Sequence, residues 1–294
     1  MVSILIPTHN QICIDLVQAM HGQATKAHLP FEIIVADDAS TDSQAKAVNR
    51  SIKQLPYCSY IELKQNIGPA RIRNFLVSRA EYPYILLMDA DTFPVHTQFL
   101  MNYIQSARPG SIVCGGFIYK RTSNPSMCQL RYKYGIQVEE SPAKKRNDKP
   151  YDKFISMCFL ADKTVFECVR FDEDMHFGYE DAQFGLQLQQ AKIPIYHIDN
   201  PVYHQTTDEA SAYLQKIERS IRNLLPHIDV LQAHIRLLAF YQKLHKAGLT
   251  TVARSLFQLF RPLLIRNLTG KHPSLHLFAF YKLGYLCEII KTPD

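Results

Sequence analysis

From Val2 to Met88, short apolar runs alternate with longer stretches in which apolar side chains recur every three or four positions. Residues 2–6, 31–36, 60–63 and 84–88 are rich in branched and aromatic side chains and read as buried strands. Between them, residues 11–26, 42–55 and 69–80 carry helical spacing. Strand and helix in turn imply βαβ units and a mostly parallel sheet with helices on both faces. In such a sheet the polar loops that follow the strands converge on one edge, so Pro7-Thr8-His9-Asn10, Asp37-Asp38-Ala39-Ser40, Asn66-Ile67-Gly68 and Asp89-Ala90-Asp91 should share a single cleft.

The last of these loops narrows the chemistry most. Asp89 and Asp91 stand one residue apart, directly after the apolar run Tyr84-Ile85-Leu86-Leu87-Met88. Unpaired buried charge is costly, and carboxylates at a strand end commonly hold a hard cation, here a divalent metal carrying phosphates. Asp37 and Asp38 end the second strand, where a carboxylate can accept hydrogen bonds from ribose hydroxyls or a base N–H. Asn66 and Gly68 allow close backbone approach, Arg71 and Arg73 can offer guanidinium donors to a diphosphate, and Pro7 and Thr8 would shape a base pocket beside Asn10. Neither GxGxxG nor GxxxxGK[ST] occurs, which excludes the dinucleotide fingerprint and the P-loop and leaves phosphate neutralisation to metal.

Gly178-Tyr179-Glu180-Asp181 precedes a helical pattern over 182–190. Acids suit a helix start on capping grounds alone. Beside a metal-diphosphate cleft they also supply the base that an acceptor hydroxyl needs, and Asp181 is the candidate.

These residues, in this order and spacing, resemble the motif series of family 2 glycosyltransferases with the GT-A fold, over roughly residues 1–205. The resemblance implies an α/β, Rossmann-like mixed sheet flanked by helices, and inverting transfer of a hexosyl or N-acetylhexosaminyl group from a nucleotide-diphosphate sugar, most simply a UDP-sugar, to an acceptor hydroxyl. It assigns Asp37 or Asp38 to the nucleoside, Asp89 to ribose or metal, Asp91 to Mn²⁺ or Mg²⁺, Asp181 to general base and Glu180 to orienting acceptor or donor sugar. A histidine after the last core strand often joins the metal or diphosphate in this family, and His204 in Pro201-Val202-Tyr203-His204 fits that position better than His197. Two other readings are a sugar nucleotidyltransferase, which would show a Gly-rich basic loop after the first strand, and a non-catalytic glycan-binding or scaffold protein of the same fold.

Composition adds limits. With 294 residues and 47% hydrophobic positions the chain can bury a real core. Its net charge of +6 does not by itself argue for nucleic acid. The excess lies in the C-terminal third, with 12 basic and 6 acidic residues from Gln205 to Asp294 against 21 and 21 before it. Seven cysteines without a CxxC pair fit free thiols in a reducing compartment. No basic n-region and long apolar h-region follow Met1, and no apolar stretch is long enough to span a bilayer, so the expected location is cytoplasmic, including the cytoplasmic face of the inner membrane.

After a catalytic domain over 1–205, residues 206–294 read as a helical extension, with helical spacing over 208–225, 230–246, 250–268 and 275–290 and with Pro262 and Pro273 set to kink or break it. Its basic amphipathic helices suit core packing, a homodimer, or a peripheral contact with anionic membrane near a glycan or lipid-linked acceptor of cell-surface polysaccharide or glycolipid synthesis. The basic stretch 121–153 reads as a solvated mobile loop or a lid, and Cys114-Gly115-Gly116 as a place where backbone could approach a donor sugar.

Overall fold

The computed structural model describes residues 1–121, 129–175, 177–205 and 209–290. Two compact units divide the chain. The first comprises Met1–Lys120, Glu140–His176 and Gln183–Gln205; the second comprises Arg121–Glu139, Phe177–Ala182 and Thr206–Asp294.

In the first unit the apolar runs become β1 (Val2–Thr8), β2 (Phe31–Asp37), β3 (Cys58–Glu62) and β4 (Tyr84–Met88). Then follow β5 (Thr92–Pro94), β6 (Ile112–Cys114), β7 (Phe117–Ile118), β8 (Cys158–Asp162), β9 (Ile195–His197) and β10 (Val202–His204). Seven of these form one sheet in the order β3-β2-β1-β4-β8-β6-β9. The first four are mutually parallel, while β8 runs antiparallel to both β4 and β6 and makes the sheet mixed.

Both faces of this sheet are buried, which is why its strands read as continuous apolar runs. Leu5, Ile34, Ile85 and Leu87 point to one side, under Ile72 and Leu76 of the helix Pro69–Arg79. Ile4, Ile6, Ile33, Val35, Leu86 and Met88 point to the other, against Leu16, Val17 and Met20 of the helix Ile14–Lys26. The period-2 alternation of a strand thus feeds two cores at once.

A small second sheet, β5-β10-β7, lies beyond the end of β4. Its antiparallel register sets Thr92 opposite His204, which brings the residue after Asp91 beside a histidine 112 positions later in the chain.

The second unit is helical. Its long helices are Ala210–Leu224, Arg236–Lys246, Thr250–Leu268 and Leu275–Ile289. Phe257 packs edge-on against Tyr281 and Tyr285, at a spot where Gly284 leaves the room that a Cβ would fill. Arg261 bridges Glu218 and Glu288 at 2.9 and 3.2 Å. The helix Thr250–Leu268 continues through Pro262, whereas Pro273 lies in the break before Ser274 caps the next helix. Among the described residues no helix is long and apolar enough to cross a membrane.

Three segments differ from the sequence reading. Residues 42–55 split into an α-helix Ser43–Asn49 and a 3₁₀ turn Arg50–Gln54, and residues 230–246 split into Ile228–Leu231 and Arg236–Lys246. The described part of the basic stretch 121–153 is largely helical, with Gln129–Tyr134, a π-helical segment Gly135–Glu139 and Ala143–Asn147 where the sequence reads as a loop, while Lys144 and Lys145 are exposed. Residues 122–128 of that stretch lie outside the described residues.

Candidate active site

The ends of β1 and β2 are adjacent in register, Thr8 facing Asp37, and the Asp38 N–H donates to the Thr8 carbonyl at 2.8 Å. Thr8 Oγ1 donates to the Gln11 carbonyl at 3.0 Å, with half-buried Pro7 just before it. Asn10 sits at φ 54°, a left-handed conformation that asparagine tolerates because its short amide bonds nearby backbone. Its Oδ1 accepts from the Thr41 and Asp42 N–H groups at 2.7 and 2.9 Å, and its own N–H donates to Ser40 Oγ at 2.7 Å. Asn10 therefore clips the first loop to the second.

The two acids of the second loop are held by protein donors. Asp37, 1% exposed, accepts from the Ser40 N–H at 2.6 Å and from Tyr60 OH at 2.5 Å. Burial, reinforced by the bond to Asp37, pushes the Tyr60 phenol far above its ordinary pKa and keeps it a donor. Asp38 accepts from the Ile67 and Gly68 N–H groups at 2.7 and 2.9 Å, a carboxylate set at the start of the helix Pro69–Arg79 where the exposed amides favour an anion. Gly68 has φ 85°, which suits glycine at that entry. The Asp38 carbonyl accepts from Asn66 Nδ2 at 3.0 Å and lies 2.9 Å from His9 Nδ1, which therefore carries the ring proton.

Arg71 and Arg73 take different places. Arg71 is exposed and lies 3.6 Å from Glu173. Arg73 is 5% exposed, reaches Asp89 Oδ1 at 2.7 Å and lies over the Phe171 ring at 5.6 Å. The third loop is thus tied to the fourth through a part-buried ion pair, and all four polar loops share one edge.

Asp89 also turns the chain, its carbonyl accepting from the Thr92 N–H and Oγ1 at 3.1 and 2.7 Å. Asp91 projects more openly, with its side chain 40% exposed and Oδ2 3.3 Å from His204 Nε2. His204 is nearly enclosed, and its Nδ1 lies 3.0 Å from Tyr119 OH. Tyr119 can accept from Nδ1–H or donate to bare Nδ1, so His204 can present either a proton or a lone pair toward Asp91. Among the described residues no three His, Cys, Asp or Glu side chains gather as a metal cage. The Asp91 carboxylate is a ligand type that suits Mg²⁺ or Mn²⁺, which take one or two protein carboxylates and complete their shell with water and substrate phosphate, and the softer His204 nitrogen beside it fits Mn²⁺ better than Mg²⁺.

The family model for "Glycosyl transferase family 2" matches residues 3–169, more than half of the chain and all four loops. The chain belongs to glycosyl transferase family 2. It is 34% identical over 92 residues to an uncharacterized glycosyltransferase of Rickettsia conorii, a match that covers 31% of this chain and 14% of the relative. Among solved structures it is similar to the mannosyltransferase PcManGT from Pyrobaculum calidifontis in complex with GDP-Man and Mn²⁺, with a TM-score of 0.51, 17% identity, and 95% and 85% of the two chains covered. It is also similar to S. aureus TarS 1-349 in complex with UDP-GlcNAc, with a TM-score of 0.51, 16% identity, and 98% and 90% covered. The fold is therefore that of the GT-A glycosyltransferases.

In this family 2 chain, Glu180 and Asp181 stand half-buried in the first turn of the helix Glu180–Gln190. Gly178 and Tyr179 before them have φ of 76° and 66°; glycine takes this left-handed conformation freely, whereas Tyr179 carries a backbone cost at the helix entry. A Cβ on Gly178 would run into Ser220.

Sequence reasoning missed a buried network beneath β6 and β9. Arg146 is 7% exposed, and its guanidinium donates to the Gly115 and Ile198 carbonyls at 3.1 and 2.7 Å. Gly116, at φ 83°, leaves room for that guanidinium, and Gly115 packs against Asn200 and Tyr103. This glycine pair therefore makes room for the protein's own groups, the Asn200 carbonyl and Tyr103 hydroxyl at Gly115 and the Arg146 guanidinium at Gly116. The only sequence signal for Arg146 was the run Lys144-Lys145-Arg146, which looks like an exposed face.

His197 completes this network, its Nε2 3.0 Å from the Pro150 carbonyl and its Nδ1 3.3 Å from Arg146. Burial lowers its pKa from 6.5 to about 4. The unfolded chain then binds the extra proton between those values, so stability is full above pH 6.5 and falls as the pH drops toward 4. Denaturant unfolding at pH 7 and pH 4.5 should register a loss that reaches roughly 3 kcal/mol across the window. His197→Gln, which cannot titrate, should flatten the profile; parallel profiles for the two proteins would remove His197 as the cause.

Proposed function

We propose that this chain is an inverting, metal-dependent glycosyltransferase that moves a sugar from a nucleotide-diphosphate donor, with UDP-sugars as the first candidates, to an acceptor hydroxyl. The observation that carries this reading is the exposed Asp91 carboxylate beside His204, at the edge where the four polar loops meet. Asp91 and His204 would hold Mn²⁺ or Mg²⁺, with Asp89 beside them in the same turn. When bound, the ion supplies Lewis-acid neutralisation of the charge that grows on the departing diphosphate.

The chain's own residues do the rest. The clipped loops built on Asn10, Asp37, Asp38, Asn66 and Gly68 form a rigid wall for the nucleoside, with Pro7 and Thr8 beside it. Loops locked by their own hydrogen bonds pay little reorganisation when ligand arrives. Arg71, exposed on its helix, is our candidate for the phosphate contact, whereas Arg73 holds Asp89. Asp181 removes the proton from the acceptor hydroxyl as its oxygen attacks the anomeric carbon, and Glu180 orients the acceptor. A single displacement on the face opposite the leaving group inverts that carbon and needs no covalent intermediate. The acceptor we assign is a glycan or lipid-linked sugar of cell-surface polysaccharide or glycolipid synthesis.

A thermal-shift comparison of UDP-, GDP-, dTDP- and CMP-linked sugars, with and without Mn²⁺, tests the donor site. A ligand that binds only the native state at a hundred times its Kd adds about 2.7 kcal/mol of stability. One diphosphate donor is expected to raise Tm by several degrees, and only with metal present. A flat response to every donor under both conditions would sink the proposal.

A further inference from the structure

The second unit carries an apolar face that its own core leaves uncovered. On the helix Thr250–Leu268, Ala253, Phe257, Leu264 and Leu268 are buried, while Val252, Leu256, Leu259, Phe260 and Leu263 are 43 to 70% exposed. Together with Leu249, 47% exposed at the N-cap, they recur at intervals of three and four residues and so form one continuous stripe. At about 1.5 Å per residue the stripe runs for roughly 20 Å. Exposed large apolar side chains are ordinary when scattered, but a stripe of this kind marks a contact surface.

Charge selects the occupant. No Asp or Glu occurs between Asp229 and Glu288, whereas Lys243 and Lys246 precede the stripe and Arg266 and Lys271 follow it, all four exposed. A second copy of this chain docked on the same face would bring these cations together with no acid on either helix to offset them. An anionic bilayer meets both features at once, because its acyl boundary takes the apolar side chains and its headgroups take the cations. We propose that the helix Thr250–Leu268 docks this protein on an anionic membrane surface, its Val252–Leu263 stripe inserted at the headgroup boundary and Lys243, Lys246, Arg266 and Lys271 in contact with lipid phosphates. This inference stands apart from the transferase reading, since it needs no donor, acceptor or metal.

Co-sedimentation of the full chain with vesicles of phosphatidylcholine, with and without phosphatidylglycerol, tests it without a sugar substrate. Wild type is expected to pellet with the phosphatidylglycerol vesicles, to stay in solution with phosphatidylcholine alone, and to be released as salt screens the headgroups. Leu259→Asp/Leu263→Asp should lower the apparent affinity at least tenfold, as should Arg266→Glu/Lys271→Glu. All four side chains are exposed, so neither double variant removes a core contact. Equal pelleting of wild type and both variants, or no pelleting of wild type with anionic vesicles, would overturn the proposal. A wild-type dimer in analytical ultracentrifugation that Leu259→Asp/Leu263→Asp converts to monomer would overturn it too, by giving the stripe to a second copy.

Discussion

Asp91→Asn is expected to lower sugar transfer by about a thousandfold, the scale lost when a group that stabilises transition-state charge is removed. The substitution keeps the shape of the side chain and deletes its negative charge. It also leaves the backbone intact, since the contact there is the Gln205 N–H donating to the Asp91 carbonyl at 2.8 Å. The loss should therefore appear in metal-dependent donor affinity and in turnover, with Tm close to wild type. Calorimetric titration of the donor with and without Mn²⁺, beside initial rates, separates these quantities. Wild-type rates in Asp91→Asn would remove Asp91 from the metal site.

The neighbouring carboxylate makes the contrast. Asp89 neutralises Arg73, which is 5% exposed. Only the arginine end of this pair is buried, and removing the carboxylate takes a partner from an enclosed cation, so substitution of Asp89 mixes stability with chemistry. Asp91, with its side chain 40% exposed, is the position where a loss of transfer is expected with little loss of stability.

Asp181→Asn should reduce transfer by about 10²- to 10⁴-fold, the range for losing a general base, while donor affinity changes less than about twofold. A base acts on the acceptor proton, and that proton contributes nothing to donor binding in the ground state. The same titration and rate measurements decide it. A parallel fall in donor affinity would show that Asp181 belongs to the donor site, and undiminished transfer would show that it is not the base.

Much of the fold was legible because its signals are local. β4 occupies the residues that the apolar run 84–88 marks, and the helix Thr250–Leu268 has the bounds that its spacing implies. Helices misread at their ends or middles failed for local reasons as well. Residues 42–55 change from α-helix to 3₁₀ at Arg50, and hydrophobic spacing does not distinguish the two over a single turn. Arg146 was invisible because its partners are backbone carbonyls of Gly115 and Ile198, more than thirty residues away on either side. A basic run and a buried arginine are written with the same letters.

By itself, the sequence determined the alternation of strands and helices, the polar loops at the strand ends and the acids those loops carry, because periods of two and of three to four residues follow from backbone geometry alone. Only the tertiary structure decided which acids hold the protein together and which face outward. Asp37 and Asp38 are engaged by Tyr60, Ile67 and Gly68, Asp89 by Arg73, and Asp91 is set beside His204 by strand pairing with a segment 112 residues distant. A carboxylate's role depends on the donors that reach it through space, and those donors come from other strands and loops.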